Sequence, residues 1–427
     1  MLMKCAAALL ALSAAVPAWA QDRSCPPQAV EPIAAPATLD AIGVEQAIAL
    51  ALQNDLRRDA AGALVAAART EGRIASLRPA DQLQVQTEDF PRSGQTDSLD
   101  SLEITASYAR VWERGGKRDA REALAARGVD VARAGAAISD NQIAYEVRRL
   151  YAAALVAAAR QDVECMEIGH VTEIQAITAE RVRRSVDPQL AASRISTELL
   201  TAQADFARFE QLEAAYTDQI AAMTGQAFAI DRSALFETPD IRSVDLSFAN
   251  LPDLLALDAQ QREARARVML EEANRKANVT WSVGVRNFGV SDEVGLVTGF
   301  SIPLGTGARS SATAARARAD ERAIELEKRA LVQRLVREAT ALRQSSVQAV
   351  TTLNTLDTSL IPEAAKALEL AEQGYKRGAL PFRDILDTHE VLINLHKQRV
   401  DHLETYLMND AALQRLSGDA ARLESQP

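Results

Sequence analysis

The sequence predicts a mainly α-helical chain with a small membrane β-barrel contribution, built as one helix, strand, strand, long helix and helix unit used twice. Three observations carry this. Apolar residues form 48% of the chain but aromatics only 4%, and no apolar run reaches the roughly 20 residues of a transmembrane helix. A proline turn and the helix after it recur, because Pro188 and Pro381 are 193 residues apart and so are Gly225 and Gly418. Two pairs of segments alternate polar and apolar residues with the period of a strand.

The duplication is an aligned one. Leu199, Leu200 and Ile220 fall opposite Leu392, Ile393 and Leu413 at the same offset of 193, and Tyr108 to Ala123 falls opposite Phe300 to Ala315 at 192. Repeat 1 is expected over 39–225 and repeat 2 over 249–418, with a linker at 226–248 and a tail at 419–427.

In chain order, residues 1–20 read as a secretory signal: Lys4, an Ala/Leu-rich core from Ala6 to Val16, and Ala18-Trp19-Ala20 before Gln21. Residues 21–38 hold Cys25, Pro26, Pro27, Pro32 and Pro36, an extended strap. Leu39 to Leu77 reads as one helix closed by Pro79. Leu83, Val85 and Thr87 then alternate with glutamines, and Leu102, Ile104, Ala106 and Tyr108 alternate with polar residues, predicting strands near 82–90 and 101–112. A second hairpin is expected near 279–288 and 294–304. Strands of about 9 to 11 residues suit a tilted membrane barrel, and Trp112 and Trp281 then lie at one membrane interface. Four strands leave open edges that lipid cannot satisfy, so copies of the chain must share a barrel.

Two long helices follow the hairpins, from about 117 to 182 and from about 309 to 373, with a kink expected at Pro362. Pro252 opens the helix that answers Leu39 to Leu77 in the second repeat. Each repeat ends in a turn and a returning helix. After Phe382, the heptad positions Leu386, Ile393, Val400 and Leu407, with His389, His396 and Leu403, form a seam that packs on a neighbouring helix.

An enzyme is not expected. Four histidines and three cysteines make no Cys-x-x-Cys, no His-Glu-x-x-His, no phosphate loop and no serine elbow. No cofactor or metal site is expected, and His389 and His396 read as seam packing. A net charge of −10 disfavours a nucleic-acid partner. Cys25 and Cys165 are the cysteines left after signal removal, and an oxidising compartment would allow a disulfide between them, with two free thiols the alternative.

The helix Leu39 to Asn54, the passage Phe300-Ser301-Ile302-Pro303-Leu304 with Arg309, and the run from Tyr375-Lys376-Arg377-Gly378 to Asp384-Ile385-Leu386-Asp387 resemble the TolC family of outer-membrane efflux channels. Ile361-Pro362-Glu363-Ala364-Ala365 is most similar to the outer-membrane components of heavy-metal (cobalt-zinc-cadmium type) resistance pumps. The resemblance implies a homotrimer with an α-helical barrel standing in the periplasm and a shared 12-stranded β-barrel in outer-membrane lipid. It further implies an exit duct working with a periplasmic adaptor and an inner-membrane pump. The turns would contact the adaptor through Val182, Arg184, Ser185, Val186, Tyr375, Arg377, Gly378 and Leu380. Asp384 and Asp387 sit on one helix face away from the seam, which leaves an outer face or the bore open, and the resemblance places them at the constriction. Repeat 1 departs there, with Ala191 and Arg194 at the matching positions. A periplasmic coiled-coil adaptor or scaffold and the outer-membrane duct of a type I protein secretion system are the alternatives.

Overall fold

The computed structural model describes residues 40–88, 102–235, 241, 248–288 and 293–418. The expected signal peptide, the strap with Cys25, the strand-connecting turns and the tail at 419–427 lie outside the described residues. The described chain divides into two compact units, each drawn from three stretches of sequence.

One unit comprises residues 1–54, 144–243 and 341–413. Strand β1 (Ala41–Ile42) pairs in parallel with β4 (Ala229–Ile230), and helix α1 (Val44–Asn54) packs Ala47, Ile48, Ala51 and Leu52 inward. The remainder is helical: the later part of α3 (Lys117–Arg183), α4 (Gln189–Thr224), the end of α6 (Thr306–Thr355), α7 (Ile361–Lys376) and most of α8 (Phe382–Ser417). Tyr151 of α3 fastens the short strands, donating its hydroxyl to Ile42 O at 2.8 Å and accepting from the Asp231 amide at 2.8 Å. The expected irregular linker at 226–248 therefore contributes a strand to this unit.

The other unit comprises residues 55–143, 244–340 and 414–427. It contains α2 (Leu56–Ser76), β2 (Gln82–Glu88), β3 (Glu103–Trp112), α5 (Pro252–Ala273), β5 (Val279–Phe288) and β6 (Glu293–Ser301), with the first parts of α3 and α6. The strands form one antiparallel sheet in the order β2-β3-β5-β6. Both hairpins match their expected places to within a few residues.

Two expectations about helices need correction. Leu39 to Leu77 is not one helix: α1 stops at Asn54, and Asp55 adopts extended geometry and caps α2, its carboxylate accepting from the Arg57 amide at 2.9 Å. An Asp with a β-region backbone satisfies an otherwise orphaned helix donor, so it favours a new start over continuation. Where a kink at Pro362 is expected, a π-helical turn at Leu356–Leu360 interrupts the helix just before it and divides it into α6 and α7. Proline has no N–H and its ring crowds the carbonyl four residues earlier, and a widened turn accommodates both.

Candidate functional site

The sheet has two chemically different faces. Register places Leu83, Tyr108, Val283 and Thr298 in one row and Val85, Ala106, Val285 and Leu296 in the next. Since side chains alternate along each strand, these rows share a face with Phe300 and Trp281. That face is bare in the single chain, with Leu83 and Phe300 each 79% exposed. An uncovered apolar sheet face is unstable in water and suited to lipid. Trp112 stands opposite Val279 and Trp281 opposite Arg110, so both indoles occupy the helix-proximal end of the sheet. Tyr108 and Arg110 share that end, each bonded to the Asp81 carboxylate.

The opposite face is polar. Arg286 spans three strands there, donating to Glu88 at 2.9 Å, Glu103 at 3.1 Å and Thr105 at 2.9 Å. The alternation reveals this face, but the cross-strand partners depend on register, which the sequence left open. β2 pairs only with β3 and β6 only with β5, so this sheet has two free edges among the described residues.

The two turns of the helical unit form the second candidate region. Ser185 and Gly378, equivalent at the 193-residue offset, both take left-handed backbone angles, φ 59° and 76°. Tyr375 tethers one turn to the other, donating to the Asp187 carboxylate at 2.6 Å with Thr178 Oγ1 at 3.1 Å from its hydroxyl. Arg181 donates to Asp187 at 2.7 and 3.1 Å and to the Tyr375 carbonyl at 2.7 Å, and its guanidinium lies 4.3 Å from the ring centroid. The Arg181 guanidinium holds the Asp187 carboxyl below the usual carboxylate range. Burial and the adjacent Asp187 push the Tyr375 hydroxyl up to about 12.

This network corrects one expected contact residue. Tyr375 is 0% exposed and works inside the turn region, so it offers no surface to another protein in this conformation. Arg184, Ser185, Val186, Arg377 and Gly378 are exposed, while Val182 and Leu380 are half-buried. Sequence reasoning passed over Arg181, Asp187 and Thr178. The signal was present in the offset, which aligns Arg181 with Gly374, a change too large for simple turn chemistry.

Asp384 and Asp387 are exposed on α8, on the side away from the buried Ile385, Leu386 and His389. Arg383 donates to Asp387 at 3.3 Å. Of the matching positions in α4, Ala191 is buried and Arg194 exposed. Cys165 is disulfide-bonded, and as the single cysteine among the described residues its partner lies outside them. No cluster of three or more potential metal ligands occurs among the described residues, and no helix there is long and apolar enough to cross a membrane.

No family model matches the chain and no curated protein matches it. Solved structures do. The outer membrane protein VceC from Vibrio cholerae superposes with a TM-score of 0.70 at 19% identity, covering 88% of this chain and 96% of that one. The chain shares the fold of VceC. CusC, described by its transmembrane channel formation, gives a TM-score of 0.72 at 14% identity over 91% of this chain and 95% of its own. The open MtrE outer membrane channel of Neisseria gonorrhoeae gives 0.69 at 17% identity over 88% of each chain. These matches cover most of the chain and agree with the expected mainly α architecture.

Proposed function

We propose that this chain is the outer-membrane channel of a tripartite efflux system, a passive duct carrying cargo from an inner-membrane pump and a periplasmic adaptor across the outer membrane. The observation that carries the reading is the four-stranded sheet, with one bare apolar face, one polar face and two free edges, on a chain that shares its fold with outer-membrane channels over most of its length. Edge strands in lipid leave backbone groups unpaired at several kcal/mol each, so the sheet is completed by other copies. Three copies, hence twelve strands, is the number the sequence resemblance implies. An adaptor or scaffold would have no use for such a sheet. Heavy-metal cations as cargo rest on the resemblance of the Ile361 to Ala365 run. The chemistry is transport, with no catalytic group assigned.

The exposed turn residues Arg184, Ser185, Val186, Arg377 and Gly378, with the half-buried Val182 and Leu380, are the proposed adaptor contact. Asp384 and Asp387 are the proposed constriction, six carboxylates in a trimer, with Arg194 of the other repeat a counter-charge. The partner of Cys165 is proposed to be Cys25, tying the N-terminal strap to α3.

Three measurements test these points. The expressed protein should fractionate with the outer membrane, resist dissociation on unheated gels as a trimer, and form channels in planar bilayers; recovery in the soluble or inner-membrane fraction would refute the channel. Asp384→Asn with Asp387→Asn, in protein shown to be trimeric, should reduce cation selectivity and the block by multivalent cations applied on the turn side. Unchanged selectivity would move both aspartates to the outer face. Denatured, unreduced mature protein should present no titratable thiol, and two thiols per chain would end the disulfide.

A further inference from the structure

The seam between α3 and α8 carries a buried patch of imidazoles, with an apolar cluster of Val171, Ile174, Ile385 and Leu386 on its turn side and the Arg160 pairs with Asp401 and Glu404 on the other. Three of the chain's four histidines gather in that patch. His170 of α3 and His389 of α8 meet edge to face with ring centroids 5.9 Å apart. His389 is only 4% exposed, and neither its Nε2 nor the Nδ1 of His170 has a hydrogen-bond partner. His396 lies further along α8, close enough to His170 for their charges to interact. Beside them Lys397 reaches Glu164 at 3.3 Å and Glu167 at 2.9 Å.

We propose that this stretch of the α3–α8 seam is an acid-sensitive latch, closed while its imidazoles are neutral and loosened when they take up protons. A neutral imidazole leaves one acceptor nitrogen unpaired at modest cost. A protonated one carries a second N–H and a charge into the same unpartnered space, which is far more expensive.

The surrounding charges do not compensate. On α3, Glu167 is the carboxylate that acts on both His170 and His389, but it is committed to Lys397. Glu173 acts on His170 and is itself held by Lys376 of α7, which also carries Glu372. Glu164 is buried, which raises its carboxyl, so acid neutralises it while the histidines become cationic. On α8, Lys397 repels His389 and Arg399 repels His396, and Asp357 of the π-helical turn, which attracts His396, is paired with Arg399. From α4, Ser196 accepts from Gln175 and Glu213 from Gln161.

Burial lowers all three histidines, His389 and His396 to about 4. The opened seam therefore binds more protons than the packed one between the ordinary histidine value of 6.5 and about 4. Glu164, raised to about 7, takes up its proton first in the packed seam and so offsets one of the three histidine protons, and packing weakens as pH falls from 6.5 through about 4.

The test uses the full chain in detergent. Backbone hydrogen exchange of peptides from these stretches of α3 and α8, corrected for intrinsic rates, should rise about tenfold or more between about pH 7.5 and about pH 5. The Arg181–Asp187 turns should not respond in that window. Exchange at the histidine C2 position reads each imidazole in the unmutated chain, and midpoints for His389 at or above the unperturbed value would overturn the latch. His170→Gln with His389→Gln and His396→Gln should flatten the acid response. A response that survives in this variant, or no rise in the parent, also overturns it. Should the variant fail to fold, the C2 measurement on the parent decides.

Discussion

The two turns of the helical unit occupy equivalent places in the duplicated chain and are closed by opposite chemistry. In the first, positions 181 and 187 are Arg181 and Asp187, an ion pair with both side chains largely buried. In the second, the same two positions, 374 and 380, are Gly374 and Leu380, and a Cβ added at Gly374 would come within 2.7 Å of the leucine Cδ1. Both reverse the chain through a left-handed residue and restart a helix at proline. The backbone path survived the duplication and the contact that closes it did not. A turn needs its backbone angles and one close contact across its neck, and charge or shape can supply the contact. The ionic version does something the apolar one cannot: Asp187 has a lone pair left for Tyr375 and so ties the two turns together.

The largest expected effect breaks the ionic turn. Arg181→Met keeps the length of the side chain and removes its charge, leaving the Asp187 carboxylate with the Tyr375 hydroxyl alone and the Tyr375 carbonyl with the Gly378 amide alone. Removing one partner of a largely buried pair costs ~2–4 kcal/mol. Hydrogen exchange of both turns should accelerate, because Tyr375 belongs to the second. Acceleration confined to residues 180–190 would show that the turns are not coupled. The pH dependence has a worked sign: Asp187 is depressed by Arg181, so its contribution is complete above the ordinary carboxylate value and is lost as pH falls through the lower folded value.

The next effect tests the apolar neck. Gly374→Ala gains ~1 kcal/mol of helix propensity within α7. It also drives a methyl into Leu380, whose Cγ as well as Cδ1 lies under 3.0 Å from the new Cβ, and overpacking costs ~1–3 kcal/mol. A net loss of ~1 kcal/mol is expected, read as faster exchange of the second turn. Leu380→Ala in the same chain should relieve the clash, and a double variant as weak as the sum of both changes would remove the contact from the account.

How much of this was legible divides along the same line. Period and punctuation gave the hairpins, the long helices, both turns and the seam, because alternation, heptads and proline act locally. The break at Asp55 was missed because an aspartate inside a long apolar-periodic stretch looks like surface decoration until its backbone is seen to be extended. The pairing of Ala41–Ile42 with Ala229–Ile230 was missed because two residues show no period. At the candidate sites, the spacing of Asp384 and Asp387 put them away from the seam, where they are exposed. The burial of Tyr375 depends on Asp187 in the other repeat, and no local pattern announces a partner 188 residues away.

The smallest expected effect sharpens the comparison most directly. Position 185 and its equivalent 378 share the left-handed region, and glycine fills it in one repeat and serine in the other. An L side chain there crowds the following carbonyl, at a cost of ~1–2 kcal/mol that glycine avoids. Glycine also brings greater freedom to the unfolded chain, which returns part of the gain. Ser185→Gly should therefore stabilise the first turn by ~0.5–1 kcal/mol. Its exchange should slow by a factor of about 2 to 5 at fixed pH, since a tenfold change corresponds to about 1.4 kcal/mol. Gly378→Ser, the reciprocal change, should hasten exchange in the second turn by a similar factor. If instead Ser185→Gly loosens its turn, the serine side chain supports a contact of its own, and the two turns differ in backbone energetics as well as in the chemistry of their necks.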